Sequence, residues 1–210
     1  MSDEQLTVYI DPDQIKAQKD NKYDLFLAKK VNGQFTVVWQ SKGAQAAANK
    51  PSYEYQNKFD LSVLSFCVNY VNNPVDLSAG SSFTSSGQKQ SIELGQTVIL
   101  NADGLFETVQ SDGKSTEIVI HNQLQANPHE VLMDQDGNPI FVNTTSGMDV
   151  GDATLTPIDT YQVWFGSQQD TGTIIADNRS NIKEVQLEGG QTKIITYTAD
   201  GTWADGAPAS

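Results

Sequence analysis

His121 and His129 are the only histidines of the 210-residue chain, and they flank the segment NQLQANP. Two imidazoles with a neighbouring carboxylate such as Glu130 are the donor types of a zinc or copper site. Such a site needs three or four ligands that converge. No third ligand stands at an informative spacing, and strands over 116–122 and 129–133 would aim the two rings differently, so no metal is expected there. A second candidate is MDQDGNPIF (133–141), where Asp134, Asp136 and Asn138 alternate as do the first oxygen ligands of a calcium loop. Gly137 then comes at position 4 and Thr145 at position 12, where an EF-hand places its glycine at 6 and a bidentate glutamate at 12. A hairpin tip is the favoured reading.

Nucleophilic catalysis needs a Ser, Thr or Cys beside a base that a third group orients. The chain has no Gly-X-Ser-X-Gly, no Gly-rich phosphate loop and no dinucleotide fingerprint. Acidic residues such as Asp149, Asp152 and Asp159 are too numerous to single out a glycosidase pair. Cys67 stands in the apolar run LSVLSFCVNYV and reads as a small core residue. No enzyme and no cofactor is therefore expected.

The aromatics offer different chemistry. Sugars stack on exposed rings while Asn, Asp and Gln supply directional hydrogen bonds. In YQVWFG, Tyr161, Val163 and Phe165 share one face, leaving Gln162 and Trp164 together on the other. Trp164 beside Gln162 is the best candidate for a ligand or interface aromatic, with core packing as the competing reading. The polar segment 166–181 that follows contains Asp170 and Asn178. The corresponding segment of the first half, 70–87, contains Asn72 and Asn73. Long loops at one end of a sandwich are where binding usually sits.

These residues need a scaffold. The net charge of −13 repels nucleic-acid phosphates and anionic lipid. It leaves neutral sugars, cations and basic partners open. One cysteine rules out an intramolecular disulfide and fits a reducing compartment. The start MSDEQLTVYIDP lacks a charged-then-apolar leader, and no apolar stretch is long enough to span a bilayer, so a cytoplasmic protein is expected.

Strand signals dominate: LTVYI (6–10), YDLFLAKK (23–30), QFTVVWQ (34–40), TEIVIHN (116–122), YQVWFGS (161–167) and KEVQL (183–187). Asn32-Gly33 and Asp136-Gly137 read as hairpin turns, and Asp103-Gly104, Asp112-Gly113 and Asp200-Gly201 as further turns. One short helix is predicted near residues 12–18, with Asp11 as N-cap, Pro12 at the first helical position and Gln14 completing a capping box. A further helical turn could run through 46–48.

The strongest signal is repetition. Gly95-Gln96-Thr97 matches Gly190-Gln191-Thr192, and Ala102-Asp103-Gly104 matches Ala199-Asp200-Gly201. Phe106 then corresponds to Trp203, and FCVNY (66–70) to YQVWF (161–165). The ordered set predicts an all-β protein built as two tandem-duplicated antiparallel β-sandwich halves, 1–110 and 111–210, packed together. The function expected is a non-enzymatic, lectin-like binding module for a neutral glycan or similar polar ligand. The alternatives are a self-associating structural protein, for instance a homodimer, and a membrane-active, cytolysin-like β-sandwich.

Overall fold

The computed structural model describes residues 4–43, 56–111, 114–167, 169–176, 179, 181–188 and 190–208. The expected turn at 112–113, the helical turn at 46–48 and the candidate Asn178 lie outside these residues. The first half contributes β1 (Gln5–Ile10), α1 (Pro12–Asp20), β2 (Tyr23–Val31), β3 (Gln40–Gly43), β4 (Gln56–Asp60), β5 (Phe66–Val71), β6 (Gln90–Ile92) and β7 (Gln96–Leu100). The second contributes β8 (Ile118–Asn122), β9 (His129–Asp134), β10 (Pro139–Val142), β11 (Gly151–Leu155), β12 (Pro157–Ser167), β13 (Lys183–Gln186), β14 (Thr192–Tyr197) and β15 (Trp203–Asp205). The protein is all-β, with α1 the one helix among the described residues.

The strands form four sheets among the described residues, ordered β15-β14-β1-β4, β10-β9-β5-β6, β11-β8-β7 and β13-β12-β2-β3. Every sheet draws on both halves. β1 runs parallel to β14, and β7 runs parallel to β8. β2 pairs antiparallel with β12, and β5 with β9. Exchanging the halves relates most of the pairings, β2 beside β12 having its counterpart in β9 beside β5, while β11-β8-β7 has no fourth strand to match β15. The line between 110 and 111 thus separates two sets of strands that hydrogen-bond to each other.

Burial explains the sequence pattern. β1 alternates, sending Leu6, Val8 and Ile10 into the main core. β2 and β5 read as continuous apolar runs because both their faces are covered. From β2, Leu25 and Leu27 join the main core, while Phe26 and Ala28 pack outward with Val38, Trp164 and Ile175. From β5, Phe66, Val68 and Tyr70 point inward, while Cys67 and Val71 face a second outer cluster under Val75, Leu77 and Phe83. The segment QFTVVWQ, expected as a strand, makes only isolated bridges at Gln34 and Val37 before β3 begins. Val37 and Val38 each serve an outer cluster while Trp39 enters the main core, and that division bends the chain out of regular pairing.

The repeated motif builds the same hairpin twice. Leu100 bridges Phe106, and Tyr197 pairs with Trp203. In each tip the glycine takes a left-handed φ, +78° at Gly104 and +70° at Gly201, which a side chain disfavours. Phe106 then meets Tyr70 edge-on at 6.0 Å, and Trp203 stacks on Phe165 at 6.0 Å. Asn32-Gly33 has positive φ at both residues, as a type I′ turn requires. At Asp136-Gly137 only the glycine does, because the Asp134 carboxylate accepts the N–H groups of Asp136 and Asn138 and shapes the tip differently. In α1 the Asp11 carboxylate accepts from the Asp13 N–H as expected of an N-cap. Gln14 does not close a capping box; its Nε2 donates to the Ala199 carbonyl and ties the helix to the second repeated turn.

Glu130 on β9 is a buried carboxyl, 4 % exposed. Oε1 accepts from Asn143 Nδ2 at 3.0 Å, while Oε2 is buried with no partner. Burial pushes its pKa up, opposed by its own backbone N–H, Asn143 and His129. A raised carboxyl binds its proton more tightly when folded, so stability falls as pH rises from the ordinary carboxylate range through the raised folded value. Glu130→Gln should therefore stabilise the protein at pH 7 by on the order of 1 kcal/mol. Chemical denaturation at two pH values checks this: the gain should vanish at acid pH, and an equal gain at both would refute it.

Candidate functional site

The structure keeps Gln162 and Trp164 on one face of β12, as the alternation predicts, but covers that face. Arg179 Nη1 donates to Gln162 Oε1 at 2.6 Å, and its guanidinium stands 5.2 Å from the Trp164 ring centroid. Phe26 packs against the indole at 5.7 Å. Trp164 is 2 % exposed, so its role in this arrangement is packing and a cation–π contact. Asp170 is exposed, and its carbonyl receives the N–H and hydroxyl of Thr173. The Asn72 N–H donates to Ser86 Oγ. Asn73 donates to the Asn127 carbonyl, and its Oδ1 lies 3.0 Å from His129 Nε2. Asn72 and Asn73 follow β5, whereas Trp164 lies on β12 in another sheet.

The two long polar loops do meet. Ser82 bridges Thr173, the Gly80 N–H donates to the Ile174 carbonyl, and the Ile174 N–H donates to the Ser81 carbonyl. They hold each other over the outer clusters. The two histidines are apart in role and place. His121 on β8 lies 2.7 Å from Asp152 Oδ1, while His129 on β9 contacts the Asn143 carbonyl and Asn73.

A different set of residues forms a polar cleft of about 350 Å³. The β9–β10 tip supplies Asp134, Gln135, Asp136 and Asn138; the β4–β5 connector supplies Asp60 and Ser62; Trp39 and Gln40 close the side. Long-range pairing brings these together, and local hydrogen bonds fix them. Asp134 Oδ1 accepts from the N–H groups of Asp136 and Asn138, and Oδ2 accepts from Trp39 Nε1 at 3.0 Å and from Asn138 Nδ2 at 2.9 Å. Gln40 Nε2 donates to the Asp60 carbonyl, and the Asp60 carboxylate accepts the Ser62 N–H at 3.0 Å. Trp39 in turn stacks on Tyr161, centroids 6.3 Å apart.

Asp134 is thus the organiser of a hairpin tip. Two polar atoms of the cleft residues remain unused: Ser62 Oγ and Gln135 Oε1 are buried without a hydrogen-bond partner. None of the side chains lining the cleft is cationic. The cleft therefore presents carboxylate and amide oxygens, and it suits a ligand that brings several O–H or N–H donors.

The sequence pointed to Asp134, Asp136 and Asn138 only as a calcium-loop candidate and did not single out Asp60, Ser62 or Gln135. Only the sheets relate Asp134 to Lys29: Asp134 lies opposite Phe66 on β5, and Lys29 lies opposite Tyr161 on β12. Among the described residues no helix is long and apolar enough to cross a membrane. The chain matches no protein-family model, no curated protein and no solved structure.

Proposed function

We propose that this protein is a non-enzymatic binding module, lectin-like in its chemistry, that holds a neutral glycan or similar polyhydroxylated ligand in the cleft between the β9–β10 tip and the β4–β5 connector. The observation that carries this reading is a cleft lined by the side chains of Asp60, Gln135, Asp136 and Asn138, rich in acceptors and without a cationic side chain. The carboxylates of Asp60 and Asp136 repel anionic ligands. The binding residues proposed are accordingly Asp60, Ser62, Gln135, Asp136 and Asn138, in place of the aromatic platform at Trp164. The lone, buried Cys67 supports a reducing, cytoplasmic setting.

A neutral-glycan array followed by calorimetry with the best hit tests the proposal. Gln135→Ala should weaken binding roughly tenfold, equivalent to about 1.4 kcal/mol, without lowering the thermal midpoint, because the oxygen it removes has no partner in the fold. A chain that retains no neutral saccharide, or a variant that binds as tightly as the parent, would remove the reading.

A further inference from the structure

A second cleft, of about 400 Å³, shares Ser62 with the polar one and differs from it in chemistry. Its wall is aliphatic and aromatic, with Leu61, Val63, Leu64, Phe66, Leu94 and Pro157. Leu64 is 68 % and Leu94 42 % exposed, an unusual cost for leucine that a ligand's apolar body would relieve. Three charged residues also line it: Lys29, Asp159 and Glu4.

Lys29 is the informative one. Its side chain is 4 % exposed, and its ammonium donates to Asp159 Oδ1 and to the Tyr161 hydroxyl, each at 2.8 Å. An ammonium carries three N–H donors, and the third has no partner among the described residues. Burial lowers the amine's pKa, while Asp159 opposes that shift and Glu4 adds to the opposition. The same burial, together with Asp159, pushes the Tyr161 phenol far above its ordinary range, so it stays protonated. Asp159 is 43 % exposed, and Glu4 accepts the Gly190 N–H at 2.8 Å.

These features select a ligand. Two carboxylates beside one ammonium disfavour an anion. The Lys29 donor asks for an acceptor, which an alkylammonium lacks. The leucine-rich wall disfavours a bare polyol. We propose that this cleft is a second binding site, for a neutral small molecule with an aliphatic body and a carbonyl-type oxygen. The oxygen takes the free N–H of Lys29, and the body lies against Leu61, Val63, Leu64 and Phe66. A pocket of this size, mostly apolar with a few convergent polar groups, is of the kind that holds small ligands. Apart from Ser62 the site shares no lining residue with the polar cleft, where Asp134, opposite Phe66 as Lys29 is opposite Tyr161, serves the opposite chemistry.

Titration of the full chain with 2-nonanone, nonanoate and nonylamine, followed by calorimetry and amide chemical shifts, tests this. The ketone should bind at least tenfold more tightly than either charged analogue and shift amides around Lys29, Leu61 and Leu94. Lys29→Met keeps an unbranched apolar stem and removes the donor; it should weaken ketone binding about tenfold. Leu94→Trp, at an exposed position, should fill the cleft and abolish binding with the fold intact, so it decides the matter even where Lys29→Met fails to fold. No binding of 2-nonanone, equal binding of nonanoate, or undiminished binding by Leu94→Trp would each overturn the proposal. Saccharide binding at the polar cleft should be indifferent to Leu94→Trp, which keeps the two sites distinguishable.

Discussion

Produced as separate chains, residues 1–110 and residues 111–210 will each fail to give a folded monomer, and mixing them will restore the native sheets. The reason lies in the pairing. Without the second half, β1 keeps only β4, β2 keeps only β3, and β5 keeps only β6. β7 is left with the bridges from Gln110 and Phe106. Without the first half, β8 keeps only β11, β9 only β10, β12 only β13 and β14 only β15. Each fragment is then a set of two-stranded ribbons, and such ribbons are marginal in water. The inward faces of β2 and β12, or of β5 and β9, would stand without the neighbour that completes their sheet. In the intact chain the covalent link supplies the partner at an effective concentration in the millimolar range. Amide dispersion and size-exclusion chromatography read the outcome. A monomeric 1–110 fragment with dispersed amides and a cooperative melt would contradict the account.

That pairing marks where sequence reading stops. Local features were legible because local forces set them. The Asp11 cap, the Asn32-Gly33 turn and the two matched hairpins at Gly104 and Gly201 each depend on a few consecutive residues. So did the all-β class, through the period-two runs. Sheet membership was not, since the parallel partners β1 and β14 come from opposite ends of the chain, and β7 and β8, though consecutive, pair in parallel rather than as a hairpin. The alternation in YQVWFG placed Gln162 and Trp164 on one face, correctly, but nothing local says that Arg179 folds back over it. The polar cleft needs Asp60 and Ser62 to meet a tip more than seventy residues later, so its members carried no common signature. The equivalent order of pairings in the two halves supports the duplication inferred from the repeated motifs, and we propose that origin for the fold.

Asp134 gives the second large effect, because a single carboxylate there satisfies groups from three directions. It is 5 % exposed, and it receives Trp39 Nε1, the N–H groups of Asp136 and Asn138, and the Asn138 side-chain amide. Asp134→Ala strands the buried indole N–H and removes the acceptor that shapes the tip. The expected cost is about 3 kcal/mol, most of it from the indole, since the tip residues Asp136 and Asn138 are exposed and can turn to water. Asp134→Asn preserves the shape and can still accept the two backbone N–H groups, but its own amide then faces the indole donor or the Asn138 amide; about 2 kcal/mol is expected. Trp39→Phe removes the stranded donor and keeps a ring against Tyr161. Adding it to Asp134→Ala should therefore cost less than the two changes do separately, by about 1–2 kcal/mol in a double-mutant cycle read by urea denaturation. Strict additivity, or an Asp134→Ala variant within 1 kcal/mol of the parent, would show that the carboxylate is incidental. The same cycle bears on binding, because the Asp134–Trp39 hydrogen bond holds the wall of the polar cleft: a variant that keeps stability through Trp39→Phe but loses saccharide affinity would place the indole among the groups that position the ligand.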